Sequence, residues 1–323
     1  MSRSSKPRQL GAALLLAMIV LTLISTVAAG MVWQQSRAIQ IEAAERARSQ
    51  AGWMLQSGID FAREVVRRYG NADPRHDQAW DSELAETRLS ALLAADRDNS
   101  ADASLEAFIS GRVGDAQSRY NLRNLAAVVA NKTTPPTKDI ELITLQRLCD
   151  AIGLNGMAET LAAGLRAAWA EGAGEVAATT ALAPGRIDQL PWLGMDAATL
   201  ARLSGFVTLL PEPTPINLNT AQAEVIYAVI DGLDLATAAR LVRNRTNRFA
   251  DIPQVKALLS TDELKAQLDG QRVAVKSSFF EVTATVRYED RALSDTALLQ
   301  RAASGEVTVL RRERRPLALG GGG

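Results

Sequence analysis

The sequence is short of the residues from which most reactive sites are built. It has one cysteine, Cys149, and one histidine, His76. A lone cysteine forms no internal disulfide, so the folded part is held by packing or by ions. The same scarcity excludes a zinc site of usual ligand make-up and any catalytic set that joins His to Cys or Ser. His76, in Asp73-Pro74-Arg75-His76-Asp77, reads as an exposed loop residue. Cys149 sits in a helical pattern from Ile143 to Ile152 and reads as a buried, inert thiol. No Gly-rich phosphate loop, metal-ligand triplet or nucleophile elbow occurs, so nothing supports an enzyme. Neither charge is in surplus: Lys plus Arg and Asp plus Glu number 36 each, and no overall field favours nucleic acid.

Apolar residues are plentiful, at 47% of 323, enough for a sizeable core and two domains. They are concentrated first in an uncharged run from Gly11 to Trp33. About 20 such residues at about 1.5 Å each span a bilayer core. Arg3, Lys6 and Arg8 precede the run without an acid, which keeps residues 1–10 in the cytoplasm and sends everything after Trp33 across the membrane. A cleaved secretory signal would have a shorter apolar core, although Ala28-Ala29-Gly30 imitates a cleavage site. A plain signal anchor is the second reading. The third rests on a short basic leader that ends at Gly11, directly against the apolar run. This resembles the class III leader of type IV pilins and pseudopilins. The resemblance implies that a prepilin peptidase cuts between Gly11 and Ala12 and that the new amine is methylated.

The residues after the span favour the third reading. Ala47, Ala51, Met54, Leu55, Gly58, Ile59, Ala62, Val65, Val66 and Tyr69 recur at gaps of three and four, one face of a helix. Mixed acids and bases such as Arg46, Arg48, Arg63, Glu64 and Arg67 lie mostly off that face. The spacing predicts one rod from about Ala12 to Tyr69, on the order of 85 Å long, ended by Gly70-Asn71-Ala72-Asp73-Pro74. Asp73 to Glu106 is acidic and reads as a solvated connector. Strand patterns at Glu106–Val113, Phe280–Tyr288 and Glu306–Arg312 flank a Pro-punctuated helical region from about Leu122 to Gly270, with Gly114 opening a turn after the first strand. Helices are expected at 139–152, 158–171, 196–203, 220–230, 235–245 and 261–268. So long a helical block between strands reads as an inserted domain.

Four segments together resemble the type II secretion system protein K family, the large minor pseudopilins: the leader with its rod, Gly114 to Leu125, Thr214-Pro215-Ile216-Asn217-Leu218-Asn219-Thr220-Ala221, and Ser278 to Val286. The resemblance covers nearly the whole chain. It implies an α+β fold in which a long N-terminal helix and a small antiparallel sheet carry a large all-α domain inserted between strands. The corresponding divisions are leader 1–11, rod 12–70, first part of the pilin-like domain 71–122, inserted domain 123–276 and C-terminal strands 277–323. It implies a non-enzymatic subunit anchored once in the inner membrane, its globular part periplasmic, at the tip of the pseudopilus. Implied partners are the smaller minor pseudopilins of the I and J type, other pseudopilins, the prepilin peptidase and the inner-membrane assembly platform.

Two further expectations come with the resemblance. Most pilins carry Glu at the fifth mature position, to meet a neighbour's buried amine, whereas here that position is Leu16. An uncompensated charge in an apolar core costs several kcal/mol, so a subunit with no neighbour above it can dispense with the Glu. Pseudopilins also commonly hold calcium in loops of the C-terminal sheet, and Glu289, Asp290 and Asp295 after Tyr288 are the candidate carboxylates. A rival reading lies in the insertion. Residues 216–252 resemble a helix-hairpin-helix unit of DNA-uptake proteins, with Asp231-Gly232-Leu233-Asp234 as hairpin and Arg240, Arg243, Arg245 and Arg248 as possible phosphate partners. Two carboxylates in the hairpin would repel phosphate, and a protein-contact or structural module is the preferred reading. Asn219 is then expected to cap a helix, in a capping box with Gln222.

Overall fold

The computed structural model describes residues 10–68, 83–88, 107–126, 139–170, 182–245, 247–288 and 291–317. They form two units, Met1–Gln56 and Ser57–Gly323. The first unit is a single stretch of helix α1, which runs Leu10–Arg68 and matches the expected rod. It is long and apolar enough to cross a membrane. Thr22 and Thr26 turn their hydroxyls back onto the Ile19 and Leu23 carbonyls, at 2.8 and 2.9 Å, so neither polar group is left open inside the apolar run. The Arg37 guanidinium lies 5.5 Å from the Trp33 ring centre, an amphipathic pair at the end of that run.

The second unit is built on a five-stranded antiparallel sheet: β1 (Glu83–Arg88), β2 (Ala107–Asp115), β7 (Phe279–Tyr288), β8 (Arg291–Arg301) and β9 (Val307–Leu317), in the order β1-β2-β7-β8-β9. In β7 the alternation predicted from the sequence holds: Phe280, Val282, Ala284 and Val286 are buried, while the residues between them are partly exposed. The C-terminal turns of α1 cover that face through Ile59, Ala62 and Val66. Gly58 makes the close approach possible, since a Cβ there would stand 3.2 Å from the Ala284 methyl. Arg301 fixes the end of the helix. Its guanidinium donates to the Val66 carbonyl at 3.1 Å and the Ser277 carbonyl at 2.9 Å, and lies 4.7 Å from the Phe280 ring centre. A cation at a helix C-terminus also meets the negative end of the helix dipole.

Between Asp115 and Phe279 the chain leaves the sheet and builds the helical insertion. Its main helices are α2 (Ile140–Ala151), α3 (Met157–Ala170), α4 (Ala197–Leu203), α5 (Ala223–Val229), α6 (Leu235–Asn244), α7 (Ile252–Ala257) and α8 (Asp262–Ala266). Two short parallel pairs tie them together: β3 (Tyr120–Asn121) with β4 (Val207–Thr208), and β5 (Ile216–Asn217) with β6 (Val273–Ala274). Leu145, Leu148, Cys149, Leu165, Leu203, Ile226 and Leu241 belong to its core. A second small cluster joins Ala116 and Leu210 of the insertion to Phe279 and Leu298 of the sheet. The insertion and sheet accordingly form one compact unit.

Three local expectations are corrected. Part of the supposed acidic connector is strand β1, whose exposed, charged residues suit a sheet edge, and Glu86 there accepts from Arg287 at 2.6 Å. The expected turn at Gly114 is absent, because β2 continues in register to Asp115, opposite Phe280. The segment after Tyr288 contains strand β8, paired with both β7 and β9.

Candidate functional site

The rod places Gly11 and Ala12 in the first turn of α1 and Leu16 one turn further on. No acidic residue follows in the helix before Glu42, so the apolar part of the helix carries no carboxylate.

A buried polar junction joins the insertion to the sheet, and its centre is Asp115, the last residue of β2. Oδ1 accepts from the Gln117 amide at 2.8 Å. Oδ2 accepts from Asn217 Nδ2 at 2.9 Å, Ser277 Oγ at 2.7 Å and Thr220 Oγ1 at 2.5 Å. Burial pushes the Asp115 carboxyl above its ordinary pKa, against the opposing pull of these four donors. Gln117 extends the junction, donating to the Pro215 carbonyl at 2.9 Å and accepting from the Ser278 amide at 2.6 Å. Asn121, also buried, donates to the Glu212 carbonyl and Thr214 Oγ1 and accepts from the Leu210 amide. Two of the segments that carried the resemblance, 114–125 and 214–221, meet in this network.

Asn219 is not the expected helix cap. Its amide pairs with both backbone groups of Phe249, at 2.9 and 2.8 Å, and donates to the Val275 carbonyl at 3.0 Å. The N-cap of α5 is Gln222, without a side-chain cap bond. The reason is that Asn219 follows strand β5, and its side chain is buried in the unit, where an unpaired amide would be costly.

Helices α5 and α6 do form a helix-hairpin-helix, with Gly232 in the left-handed region at φ 80°. Both hairpin carboxylates are engaged: Asp234 caps α6 through the Thr237 amide, and Asp231 lies 3.9 Å from Arg147. Arg147 of α2 closes the hairpin from inside. Its Nη2 donates to the Tyr227, Leu233 and Ile230 carbonyls at 2.6, 2.8 and 3.3 Å, and its guanidinium lies 4.1 Å from the Tyr227 ring centre. Arg245 likewise turns inward, to the Leu218 and Ala221 carbonyls at 3.1 and 2.6 Å. The hairpin is tied to α2 from its inner side, while Gly232 and Asp234 themselves are exposed. Arg147→Ala is expected to lower stability by about 2–3 kcal/mol, because three carbonyls lose a charged donor; urea unfolding of the full chain measures it.

Of the three calcium candidates, Glu289 and Asp290 lie outside the described residues. Asp295 is not in a loop. It sits in the middle of β8, fully buried, and Oδ2 accepts from Arg312 Nε at 2.6 Å and Arg314 Nη2 at 3.3 Å. Its Oδ1 has no hydrogen-bond partner among the described residues. Two guanidiniums beside the carboxylate already supply its counter-charge and would repel a divalent cation, so Asp295 does not fit a calcium ligand. Among the described residues no group of three or more His, Cys, Asp or Glu side chains could hold a metal ion. The Cys149 thiol is buried and pushed up to about 12, by burial first and then by Asp150 and Glu159, so it is unreactive as expected.

A long apolar N-terminal helix, its last turns covering one face of an antiparallel sheet, and a helical insertion between the strands define an α+β protein. The solved structure of the GspK-GspI-GspJ complex from the enterotoxigenic Escherichia coli type 2 secretion system contains a chain with the same fold: TM-score 0.64 at 20% identity, over 84% of this chain and 98% of that one. The model of the family "Type II secretion system (T2SS), protein K" matches residues 216–276, from β5 through the helix-hairpin-helix to β6. The type II secretion system protein K of Pseudomonas aeruginosa is 25% identical over 324 aligned positions, covering 94% of this chain and 92% of that protein. The chain is thus similar to type II secretion system protein K in sequence, over residues 216–276 and more weakly along most of its length, and to a chain of the solved complex in fold.

Proposed function

We propose that the protein is the tip subunit of a periplasmic pseudopilus, which it initiates or caps so that folded proteins are driven across the outer membrane. The observation that carries this reading is the N-terminal helix: it is long and apolar enough to cross a membrane, and it has Leu16 where the resemblance puts a carboxylate for the amine of the neighbour above. At a tip nothing sits above to receive that carboxylate. Its partners would be pseudopilins of the I and J type, as in the complex named above, with further pseudopilins and the assembly platform below them. Prepilin peptidase would release the chain at Ala12, the new amine would be methylated, and the second unit would face the periplasm.

The first test is the N-terminal residue and membrane state of the protein in cells with and without prepilin peptidase. A start at Ala12 that requires the peptidase, with the protein still in the membrane, is expected. A soluble protein starting near Gly30 would overturn the proposal and return attention to DNA binding. Position in the filament is tested separately. Leu16→Glu, which adds an unmatched charge worth several kcal/mol, is expected to cut pseudopilus assembly at least about a hundredfold, counted by electron microscopy. Normal assembly by that variant would speak for a shaft position.

A further inference from the structure

We propose that two adjoining cavities, between the insertion and the outward face of the sheet, form one cleft that binds an acidic, extended peptide segment of a partner protein. One cavity has a volume of about 680 Å³ and the other about 490 Å³, and they share Arg119, Ser204 and Glu281 as lining. Pockets of some hundreds of Å³ commonly hold ligands the size of a short peptide. Seven arginines and four carboxylates line the pair, in a chain whose acids and bases balance overall. One of those carboxylates, Asp115, is already held by four donors.

Among the described residues, three of those arginines, Arg112, Arg245 and Arg311, form no ion pair, whereas Arg119, Arg186 and Arg315 do. Arg245, lining the larger cavity, donates to the Leu218 and Ala221 carbonyls. Arg311, lining the smaller one, donates to the Gly185 carbonyl at 2.8 Å. Arg112, exposed at the larger cavity, has no ion pair among the described residues. Burial lowers the pKa of Arg245, and that of Arg311 against the opposing pull of Glu281, Asp188 and Glu313. These guanidiniums lie in different cavities, so one small anion cannot meet them all. Successive carboxylates on an extended chain can, and guanidinium forks suit them. A nucleic acid strand fits less well. Among the described lining residues no aromatic ring offers a base a stacking face. Glu281, Glu313 and Asp188, each paired with an arginine, can also accept from peptide N–H groups.

The full chain in detergent micelles is titrated into a fluorescein-labelled peptide of alternating Glu and Ser, with anisotropy as readout. Binding is expected, weakening with added salt. The double variant Arg112→Glu/Arg311→Glu is expected to weaken it at least about tenfold, the scale of a lost charge pair. Arg240→Glu, exposed on α6 and outside both cavities, is expected to leave it unchanged. Arg112→Glu alone, at an exposed side chain, keeps the test valid if the double variant unfolds, and should itself weaken binding several-fold. The proposal is overturned if the Glu peptide fails to bind, if Arg240→Glu weakens it as much as Arg112→Glu, or if a Lys-Ser peptide binds equally. Displacement by inorganic phosphate would show a small-anion site, and displacement by an oligothymidylate a nucleic-acid site; either also overturns it.

Discussion

Replacing Asp115 by Ala is expected to destabilise the second unit by roughly 3–5 kcal/mol, enough to unfold most of a marginal protein, because four buried donors lose their acceptor together. The donors come from three places in the sequence: Gln117 beside it, Asn217 and Thr220 in the insertion, and Ser277 at the return to the sheet. The loss should therefore appear as a single cooperative shift in denaturant midpoint for the whole unit. The pH dependence has a definite sign. Because the folded carboxyl has its pKa raised above the ordinary value of 3.8, the folded state holds the proton more tightly. That contribution to stability is complete below the unfolded pKa and is lost as pH rises through the folded one. Asp115→Asn has no such titration, so the stability difference between the two proteins should shrink as pH rises across that window. A constant difference would mean that Asp115 has an ordinary pKa in the fold.

Asp295→Ala is the second large effect, expected at about 2–3 kcal/mol in urea unfolding. Removing one partner of a buried ion pair leaves the other charge stranded, which costs more than the pair contributes. Asp295 is 0% exposed, whereas Arg312 and Arg314 are 28% and 42% exposed, so water relieves part of their stranding and the expected cost is set below that of a fully buried pair. A triple variant, Asp295→Leu with Arg312→Met and Arg314→Met, should recover most of the loss, since no charge is then left over. Calcium and chelator should give Asp295→Ala the same stability change relative to wild type, a result incompatible with an ion on this carboxylate.

The rod was legible because a helix writes its buried face at gaps of three and four, from Ala47 through Val66, with no Pro to interrupt it. Strand β7 was legible for the same kind of reason at period two. Strand β8 was hidden by Asp295. A carboxylate on the core face breaks the alternation, and the arginines that make it tolerable stand on β9, 17 and 19 positions away. Strand β1 was hidden because an edge strand needs only backbone pairing, and its side chains look like solvated loop. At the junction, the motif around Asn217 and Asn219 was visible, but its purpose was not. Local reasoning assigns a buried Asn to a nearby helix end, whereas Asn219 serves Phe249, 30 positions on, and Asn217 serves Asp115, 102 positions back. Arg147 left only a weak trace, one cation among the apolar residues Leu145, Leu148 and Cys149 of α2.

The bond from Ser277 to Asp115 joins residues 162 positions apart, at the point where β2 and β7 come into register. Closing a flexible loop of that length costs about 4–5 kcal/mol in chain entropy beyond a constant term, so pairing these central strands first would be a slow step. A folded insertion removes that obstacle. Its own core is made of nearer contacts, and once formed it holds the two strands side by side at its base. The expected order of assembly is insertion before sheet, with the segment that interrupts the small sheet in sequence serving as the template on which that sheet closes.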